Sequence, residues 1–201
     1  MLVLIACEFS GVVREAFRRK GHDAYSCDLL PPEDDSPFHF MCDVREVIRD
    51  FDWDLMIAHP PCTYLTVSGL HWNKKSPERA QKTEEALQFV QELMDAPIDK
   101  ICIENPVSCI SSRIRKPDQI IQPYEFGHDA SKRTCLWLKN LQPLRIDPAL
   151  RVPGRLVEGG KERWSNQTDS GQNKLGPSED RWKLRSVTYQ GIADAMAEVW
   201  G

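Results

Sequence analysis

The first 28 residues, MLVLIACEFSGVVREAFRRKGHDAYSCD, predict a strand, a helix and a second strand in succession. Residues 2–6 form a continuous apolar run, which is typical of a strand covered on both faces. Residues 12–20 place apolar side chains on one helical face, and Gly21 follows the expected end of this helix. Residues 24–27 are the second strand, which ends in Asp28. This order of elements predicts parallel pairing within an α/β fold.

The same alternation continues along the chain. Further strands are predicted at 38–42, 55–58, 100–103 and 134–138, and a closing helix at 189–199. A long helix is predicted to begin at Pro77, after the capping hydroxyl of Ser76, and to end near Met94. The pattern therefore predicts a mostly parallel sheet with helices on both faces. Ligands bind beyond the carboxyl ends of such strands, where the sequence places Gly11, Asp28, Asp43, Cys62 and Glu104.

Composition excludes several classes of protein. The chain has 201 residues, 41% hydrophobic and 28% charged, which excludes a wholly disordered or collagen-like chain and suffices for one sizeable core. No run of about 18 apolar residues predicts a membrane span, and the N-terminus lacks the features of a signal peptide. Seven cysteines without a Cys-x-x-Cys pair, and five scattered histidines, predict neither disulfides nor a metal site. We therefore expect a metal-free protein of the reducing cytoplasm.

Charge is distributed unevenly. Residues 1–138 hold 16 Lys and Arg against 22 Asp and Glu, whereas residues 139–185 hold ten against six. The basic segment is also rich in Gly, Ser, Asn and Gln, with Trp164 and Trp182 among its basic residues. Such a segment suits contact with a polyanion. On composition alone, a solvated, loop-rich surface insert is the favoured alternative.

Residues 59–69, HPPCTYLTVSG, are the most informative segment. Two prolines fix the backbone ahead of Cys62 and remove two N–H donors, so the thiol is held in one orientation. Glu104 and Asn105 end the next strand, which places the carboxylate beside Cys62. A negative neighbour raises the pKa of a thiol, so the pair makes sense if the acid protonates a substrate that the thiol attacks. The alternative is an inert buried cysteine.

The predicted turn at residues 8–11 and two later acids indicate a nucleotide-like ligand. A tight turn of small residues lets a ligand approach the backbone N–H groups at the start of the first helix. Asp28, 17 residues after Gly11, can accept bonds from a ribose diol, and Asp43 can bond the amino edge of a base. For each acid, a helix cap or a solvated turn is the alternative.

Taken together, these motifs resemble those of the DNA cytosine-C5 methyltransferases, in the form of a small, phage-like member. Pro61-Cys62, followed by Ser68-Gly69, is similar to the catalytic loop of that family, and Glu104-Asn105-Pro106 to its Glu-Asn-Val motif. Residues 124–138, with Lys132-Arg133, look like the arginine motif, and residues 189–193 occupy the place of the last cofactor motif. The resemblance covers residues 1–138 and 186–201.

The resemblance implies an α/β fold with the Rossmann-like sheet of S-adenosylmethionine-dependent methyltransferases. Residues 1–139 and 186–201 would form the catalytic and cofactor-binding domain, and residues 140–185 a short target-recognition region. The implied catalytic residues are Cys62, Glu104, Asn105 and Arg133, with Lys132 as the alternative to Arg133. The implied base-flipping loop contains Ser68 and Gly69. The implied cofactor contacts are Glu8, Phe9, Ser10, Gly11, Asp28, Asp43, Pro60 and Gln190. The basic residues expected to contact nucleic acid are Arg151, Arg155, Lys161, Arg163, Lys174 and Arg181.

The implied activity is methyl transfer from S-adenosylmethionine to C5 of a flipped cytosine in double-stranded DNA, by a monomer. In this scheme Cys62 adds to C6 while a protonated Glu104 bonds N3. The chain departs from the family in having one glycine in its first motif, no leading Gln in its arginine motif, and Gln190-Gly191 in its last motif. Another pyrimidine substrate or a modified cofactor, and a non-catalytic nucleic-acid-binding protein, remain the alternatives.

Overall fold

The computed structural model describes all of residues 1–201. Its strands are β1 (Leu2–Ala6), β2 (Asp23–Asp28), β3 (His39–Met41), β4 (Leu55–Ala58), β5 (Lys100–Pro106), β6 (Gln119–Ile121), β7 (Thr134–Lys139), β8 (Arg155–Val157) and β9 (Lys161–Arg163). Its α-helices are α1 (Val12–Arg19), α2 (Val44–Asp50), α3 (Pro77–Met94), α4 (Ile110–Arg113), α5 (Arg181–Ser186) and α6 (Gln190–Trp200). Short 3-10 helices lie at 67–74, 123–126 and 148–150.

Seven strands form one sheet in the order β3-β2-β1-β4-β5-β7-β6. The pairs from β3 to β5 are all parallel, whereas β7 runs antiparallel to both of its neighbours. The order reverses between β1 and β4, and a reversal of this kind opens a crevice at the carboxyl ends of the two strands. The predicted fold class is confirmed: a mostly parallel, Rossmann-like sheet with helices on both faces.

The apolar strands are buried because helices cover both faces of the sheet. Leu4 and Met56 face one core with the inner sides of α2 and α3, and Val3 and Ile57 face the other with α1 and α6. All four side chains are fully buried. The continuous apolar runs at 2–6 and 55–58 follow from this two-sided burial. Packing on both faces therefore fixes β1 and β4 in place, and with them the crevice at their carboxyl ends.

Strand β5 is longer than the sequence indicated. It was predicted at 100–103 with Glu104 and Asn105 at its end, but it continues to Pro106 because β7 pairs with it beyond the end of β4. Glu104 and Asn105 are therefore fixed by backbone pairing with Leu136 and Cys135 rather than lying in a loop. The structure also contains elements that the sequence did not predict, namely α2, α4, α5, β6 and the hairpin of β8 and β9.

Residues 140–185 have no hydrophobic core of their own, since only Leu144 and Trp164 are buried among them. The Trp164 ring stacks on Tyr124 at 3.9 Å and 6°, and its indole N–H donates to the Val152 carbonyl. Asn166 exchanges two 2.9 Å hydrogen bonds with the backbone of Ser131. The segment is thus attached to the main sheet through the residues that precede β7.

No helix in the structure is both long and apolar enough to cross a bilayer. No group of three or more His, Cys, Asp or Glu side chains is arranged to hold a metal ion. All seven cysteines are free thiols.

Candidate active site

Cys62 and Glu104 stand at the carboxyl ends of the adjacent strands β4 and β5. Asn105, almost fully buried, donates through its side-chain amide to the Pro60 carbonyl at 2.8 Å. The Cys62 carbonyl accepts from the backbone N–H groups of Leu65 and Thr66, so the chain turns directly after the thiol. The prolines, the Asn105 amide and this turn together fix where the thiol lies.

The Cys62 thiol is half-buried and protonated at rest. Burial raises its pKa, and the negative charge of Glu104 raises it further. The positive charges of Lys132 and Arg185 act in the opposite direction, without overcoming the first two effects. Loss of the negative charge of Glu104 would therefore favour the thiolate, although burial would still oppose it.

Glu104 differs from the sequence expectation of a protonated acid. Burial raises the pKa of this carboxyl, but a hydrogen bond from His59, the charges of Lys132 and His59, and the Thr134 hydroxyl together lower it below its ordinary value. The His59 Nδ1 lies 2.9 Å from Glu104 Oε2, and both side chains are only 9% exposed. In this state Glu104 is a carboxylate, and it has to gain a proton before it can serve as an acid.

Of the two basic residues considered for the arginine motif, Lys132 is the one whose charge acts on both Cys62 and Glu104. Arg133 instead lowers the pKa values of Tyr124 and Cys135, in each case against burial. The choice of Arg133 over Lys132 stays a prediction, and the charge of Lys132 favours the alternative.

The loop after Cys62 is anchored at several points. Leu65 is fully buried, and the Leu65 carbonyl accepts from the Cys109 N–H. Thr83 of α3 donates to the Tyr64 carbonyl and accepts from Asn73. Ser68 and Gly69 lie on the 3-10 helix between these anchors.

Ser68 is exposed, whereas Gly69 is in close contact with α3. A Cβ at Gly69 would lie 2.6 Å from Nη2 of Arg79, which itself donates to the Thr63 carbonyl. A larger residue at Gly69 would displace this arginine from the Cys62 loop. The two residues predicted for base flipping therefore differ in setting: one faces solvent, and the other packs against the flexible end of the Arg79 side chain.

A cavity of about 210 Å³ opens at the carboxyl ends of β1, β2, β3 and β4. We call it the cysteine cavity; it is lined by Cys7, Cys27, Asp28, Leu29, Cys42, Asp43, Val44, Arg45, Pro61 and Phe89. Asp28 and Asp43, the two predicted nucleotide-binding acids, lie together in it. The Asp43 side chain also caps α2 through the Arg45 N–H, so its helix-cap alternative holds as well.

One residue that lines the cysteine cavity has a strained backbone conformation. Cys7 has a φ of 58°, in the left-handed region that a residue with a side chain rarely adopts. Burial and the charges of Asp28 and Asp43 raise the pKa of its thiol to about 12, with Arg45 opposing. Such strain is retained where surrounding structure enforces it, commonly at binding sites.

The turn at residues 8–11 differs from its expected role. The Glu8 carboxylate accepts from the backbone N–H groups of Val13 and Arg14, and Ser10 donates to the same carboxylate. These N–H groups at the start of α1 are already bonded to the side chain of Glu8, so they are not free to bind a ligand. Glu8 and Ser10 therefore build the turn. Gly11 adopts a φ of 73°, as a glycine can.

The other predicted cofactor contacts differ in how far they are buried and in whether they line a cavity. Phe9 is buried, and its ring faces Trp182 of α5 at 6.0 Å. Pro60 has its carbonyl bonded to Asn105, and it is Pro61 that lines the cysteine cavity. Gln190 is exposed, bonds Asp194 and lines neither of the two cavities described here.

A second cavity, of about 380 Å³, separates the main sheet from residues 164–175. We call it the basic cavity; its charged and amide residues are Lys132, Arg133, Lys174, Arg185, Asn166, Gln167 and Asn173. Four cations and three amides in one cavity favour an anionic, hydrogen-bonding ligand. Two of its cations, Lys132 and Arg185, also act to lower the pKa of the Cys62 thiol, so part of the positive charge of this cavity acts on the thiol.

Three of the six basic residues predicted to bind nucleic acid are engaged within the insert. Arg151 pairs with Glu162, and Arg155 pairs with Asp169 and two carbonyls. Arg163 donates to the carbonyls of Glu162 and Asp169. Their role in the structure is to hold the hairpin of β8 and β9, whose close acidic partners composition alone does not reveal.

The other three predicted residues, Lys161, Lys174 and Arg181, make no ion pair, and of these Lys174 lines the basic cavity. Arg185 and His59 were missed by sequence reasoning. His59 stands three residues before Cys62, in a segment already singled out, and that position was the available signal. Arg185 had no such signal, because its approach to Cys62 depends on how α5 returns to the sheet.

No family model and no curated protein matches the chain. Solved structures do match. One is assigned as a DNA modification methyltransferase encoded within an E. coli prophage, with 15% identity and a TM-score of 0.44 over 69% of this chain and 46% of that one. Another is a mutant of Spodoptera frugiperda DNMT2, with 17% identity and a TM-score of 0.45 over 81% and 57%. The chain spans about half the length of these structures, and similarity at this level identifies no activity.

Proposed function

We propose that the chain is a DNA (cytosine-5)-methyltransferase, which transfers a methyl group from S-adenosylmethionine to C5 of a flipped cytosine through a covalent bond to Cys62. One observation carries the proposal. A thiol and an acid stand at the ends of adjacent strands. The positive charges of Lys132 and Arg185, which belong to two other segments, act to lower the pKa of the thiol. This set supplies a nucleophile, an acid and charge stabilisation at one edge of the sheet.

The reaction needs these groups because cytosine C5 is a poor nucleophile. Addition of the Cys62 thiolate to C6 breaks the conjugation of the ring and makes C5 enamine-like. Protonated Glu104 donates to N3 and neutralises the charge that develops on the ring. After C5 has taken the methyl group, its proton is lost to water, the Cys62 thiolate is expelled, and N3 returns its proton to Glu104, which restores the aromatic ring.

The cysteine cavity fits part of a nucleoside-bearing cofactor. Its carboxylates are suited to a ribose diol and to the amino edge of a base, and its thiols, Val44 and Phe89 to the faces of a ring. A volume of about 210 Å³ is below that of pockets that enclose whole ligands, so it would take the adenosine part. When bound, S-adenosylmethionine supplies the methyl group. Pro61 lines this cavity and immediately precedes Cys62 in the chain.

DNA is proposed as the polymer because part of the positive charge of the basic cavity acts on the thiol. A base inside a duplex cannot reach Cys62, so it has to leave the stack, at a cost of a few kcal/mol. Cations around the basic cavity would hold the neighbouring phosphates while the base is extruded. Contacts to phosphates on either side of the target base favour a polymer, because a free nucleotide has no neighbouring phosphates.

The test is methyl transfer from tritiated S-adenosylmethionine to four substrates: duplex DNA, single-stranded DNA, structured RNA and dCMP. We expect 5-methylcytosine in duplex DNA with the wild-type protein and none with Cys62→Ala. Cys109→Ala, which removes a buried thiol elsewhere, is the matched control and should retain activity.

Each other outcome has a definite meaning. Label in RNA or dCMP alone would replace DNA with another pyrimidine substrate. DNA binding without label in any substrate would favour the non-catalytic alternative. Activity that survives in Cys62→Ala would contradict covalent catalysis by this residue.

A further inference from the structure

Three acid–base side chains stand in a row across three neighbouring strands. Glu8 follows β1, His59 follows β4 and Glu104 lies on β5, and these strands are consecutive in the sheet. The backbone N–H of His59 donates to the Ala6 carbonyl at 2.9 Å, which fixes the imidazole beside β1. The Glu8 carboxylate is buried, and the charge of His59 acts on it. Burial raises the pKa of Glu8 despite that charge and its backbone hydrogen bonds, so the imidazole stands between the Glu104 carboxylate and a buried carboxyl group that is driven toward its neutral form.

The hydrogen bond between His59 and Glu104 has a defined direction. An ionised carboxylate only accepts, so Nδ1 of His59 carries the proton of the 2.9 Å bond. The other ring nitrogen, Nε2, is buried and has no hydrogen-bond partner. Buried polar atoms are seldom left unpaired, and an unpaired one needs an explanation. A second proton at Nε2 would make an imidazolium that is hydrogen-bonded to the Glu104 carboxylate.

The proposed reaction requires a proton that Glu104 does not hold at rest. His59 is the titratable side chain that is hydrogen-bonded to Glu104. The Thr134 hydroxyl, which also lowers the pKa of Glu104, donates to the Lys132 carbonyl at 3.0 Å, and a hydroxyl does not supply a proton at neutral pH. Lys132 acts on Glu104 through charge, while its ammonium donates to the Val187 carbonyl.

We propose that His59 is a positioning residue that orients Glu104 and stores the proton which Glu104 passes to the ring nitrogen of the substrate base. The inference rests on the proposed function and deepens it. As the thiolate adds to the base, the Nδ1 proton of the imidazolium moves to Glu104 Oε2, and Glu104 gives a proton to the ring nitrogen. The imidazolium becomes a neutral imidazole. When the thiolate leaves, the base returns the proton to Glu104, and Glu104 returns one to His59.

The groups that face this pair come from every neighbouring segment: Glu8 after β1, Cys62 after β4, and Thr134 and Lys132 at the start of β7. Lys132 favours the charged Glu104, and the 2.9 Å hydrogen bond from His59 is the path by which a proton reaches that carboxylate.

The experiment compares variants in the full chain on a duplex that carries 5-fluorocytosine, which traps the adduct. His59→Asn keeps an amide donor where Nδ1 stands but cannot carry an extra proton. We expect its single-turnover rate of adduct formation to fall by about 10² or more, with the dissociation constant for the duplex within twofold of wild type. His22→Asn is the matched control. The His22 ring lies just before β2 and packs against Phe17, so this variant should react at the wild-type rate.

A second readout does not depend on activity. The pKa of Glu104 can be followed by NMR of protein with ¹³C-labelled glutamate, assigned with Glu104→Gln. We expect this pKa to rise in His59→Leu, because burial then acts without the donor, and to stay low in His59→Asn. Equal Glu104 pKa values in wild type and His59→Leu would overturn the pairing.

The outcomes separate the two proposals. If wild type and His59→Asn form the adduct at equal rates, cytosine methylation stands and the inference about His59 fails. If the wild-type protein forms no adduct, the proposed function fails and the step from Glu104 to the base fails with it. A slow His59→Asn with unchanged DNA affinity and a low Glu104 pKa supports the inference.

Discussion

Cys62 and Glu104 oppose each other as long as the carboxylate is charged. Its negative charge helps to keep the thiol protonated, whereas Lys132 and Arg185 favour the thiolate. When Glu104 gains a proton, only burial still raises the pKa of the thiol, and the two cations act unopposed by a neighbouring charge. Protonation of the acid and activation of the nucleophile are therefore linked.

This link predicts how Cys62 reacts with iodoacetamide as pH rises. Glu104→Gln removes a charge that raises the thiol pKa, so we expect faster alkylation of Cys62 between about pH 7 and 8.5. Lys132→Met removes a charge that lowers the thiol pKa, so we expect slower alkylation. Mass spectrometry of the peptide that contains Cys62 measures the rate separately from those of the other six thiols.

The control for alkylation is Glu46→Gln, which neutralises an exposed carboxylate on α2. It should leave the rate at Cys62 unchanged. If Glu104→Gln alkylates more slowly than wild type at every pH, the electrostatic link between the two groups is wrong.

At the scale of elements, the Cys62 loop depends on one threonine of α3. The Thr83 hydroxyl, almost fully buried, connects Tyr64 at one end of the loop with Asn73 at the other. Helix α3 in turn is fixed by the Ser76 cap and Pro77 at its start. The loop is thus ordered at both ends, while Ser68 between them faces solvent.

Thr83→Val should loosen this loop. The substitution keeps the shape of the side chain but leaves the Tyr64 carbonyl and the Asn73 amide without their partner, at a cost of about 1–3 kcal/mol. We expect hydrogen exchange of residues 64–75 to become faster while the middle of α3 exchanges as before. Thr83→Ser, which keeps the hydroxyl, should behave like wild type, and faster exchange throughout α3 would contradict a local role.

Trp164 holds the insert against the sheet, so its removal should be costly. Trp164→Ala loses the stack on Tyr124 and the bond to the Val152 carbonyl, and we expect a loss of about 3–5 kcal/mol in unfolding free energy. Trp164→Phe keeps a stacking ring and should lose much less. Chemical denaturation monitored by circular dichroism measures both, and equal losses would show that the stack is unimportant.

For the whole molecule, the predicted fold depended on local patterns. The strands at 2–6 and 55–58 and the helix from Pro77 to Met94 were predicted with their observed limits, because burial on two faces and clear helix caps mark their sequences. The short strand β6 and the hairpin of β8 and β9 lack such marks. Their existence depends on partners distant in sequence, such as Leu136 for Gln119.

The candidate site could be predicted in part for the same reason. Adjacent parallel strands bring Cys62 and Glu104 together, and topology alone gives that result. The direction of each side chain is not given by topology. Glu8 turns to the start of α1, and Arg151, Arg155 and Arg163 turn to acids and carbonyls of their own segment. These choices follow from hydrogen bonds that only the folded chain brings together.

The chain has a net charge of −4, yet the basic cavity concentrates positive charge, part of which acts on Cys62. If this cavity holds phosphates, Lys174→Ala and Arg185→Ala should each reduce the slope of log K against log salt by about 0.9 on duplex DNA. Fluorescence anisotropy across a salt series measures the slope. Lys100→Ala, at the start of β5, should leave it unchanged, and equal slopes for all the variants would exclude the cavity as a phosphate site.

The most direct measurement of the central claim is the mass of the protein after incubation with S-adenosylmethionine and a duplex that carries 5-fluorocytosine. Fluorine does not leave as a proton does, so the adduct should accumulate. We expect a stable DNA–protein adduct that maps to the peptide with Cys62 and is absent from Cys62→Ala. An adduct at another cysteine, or methylated DNA without any adduct, would contradict the account.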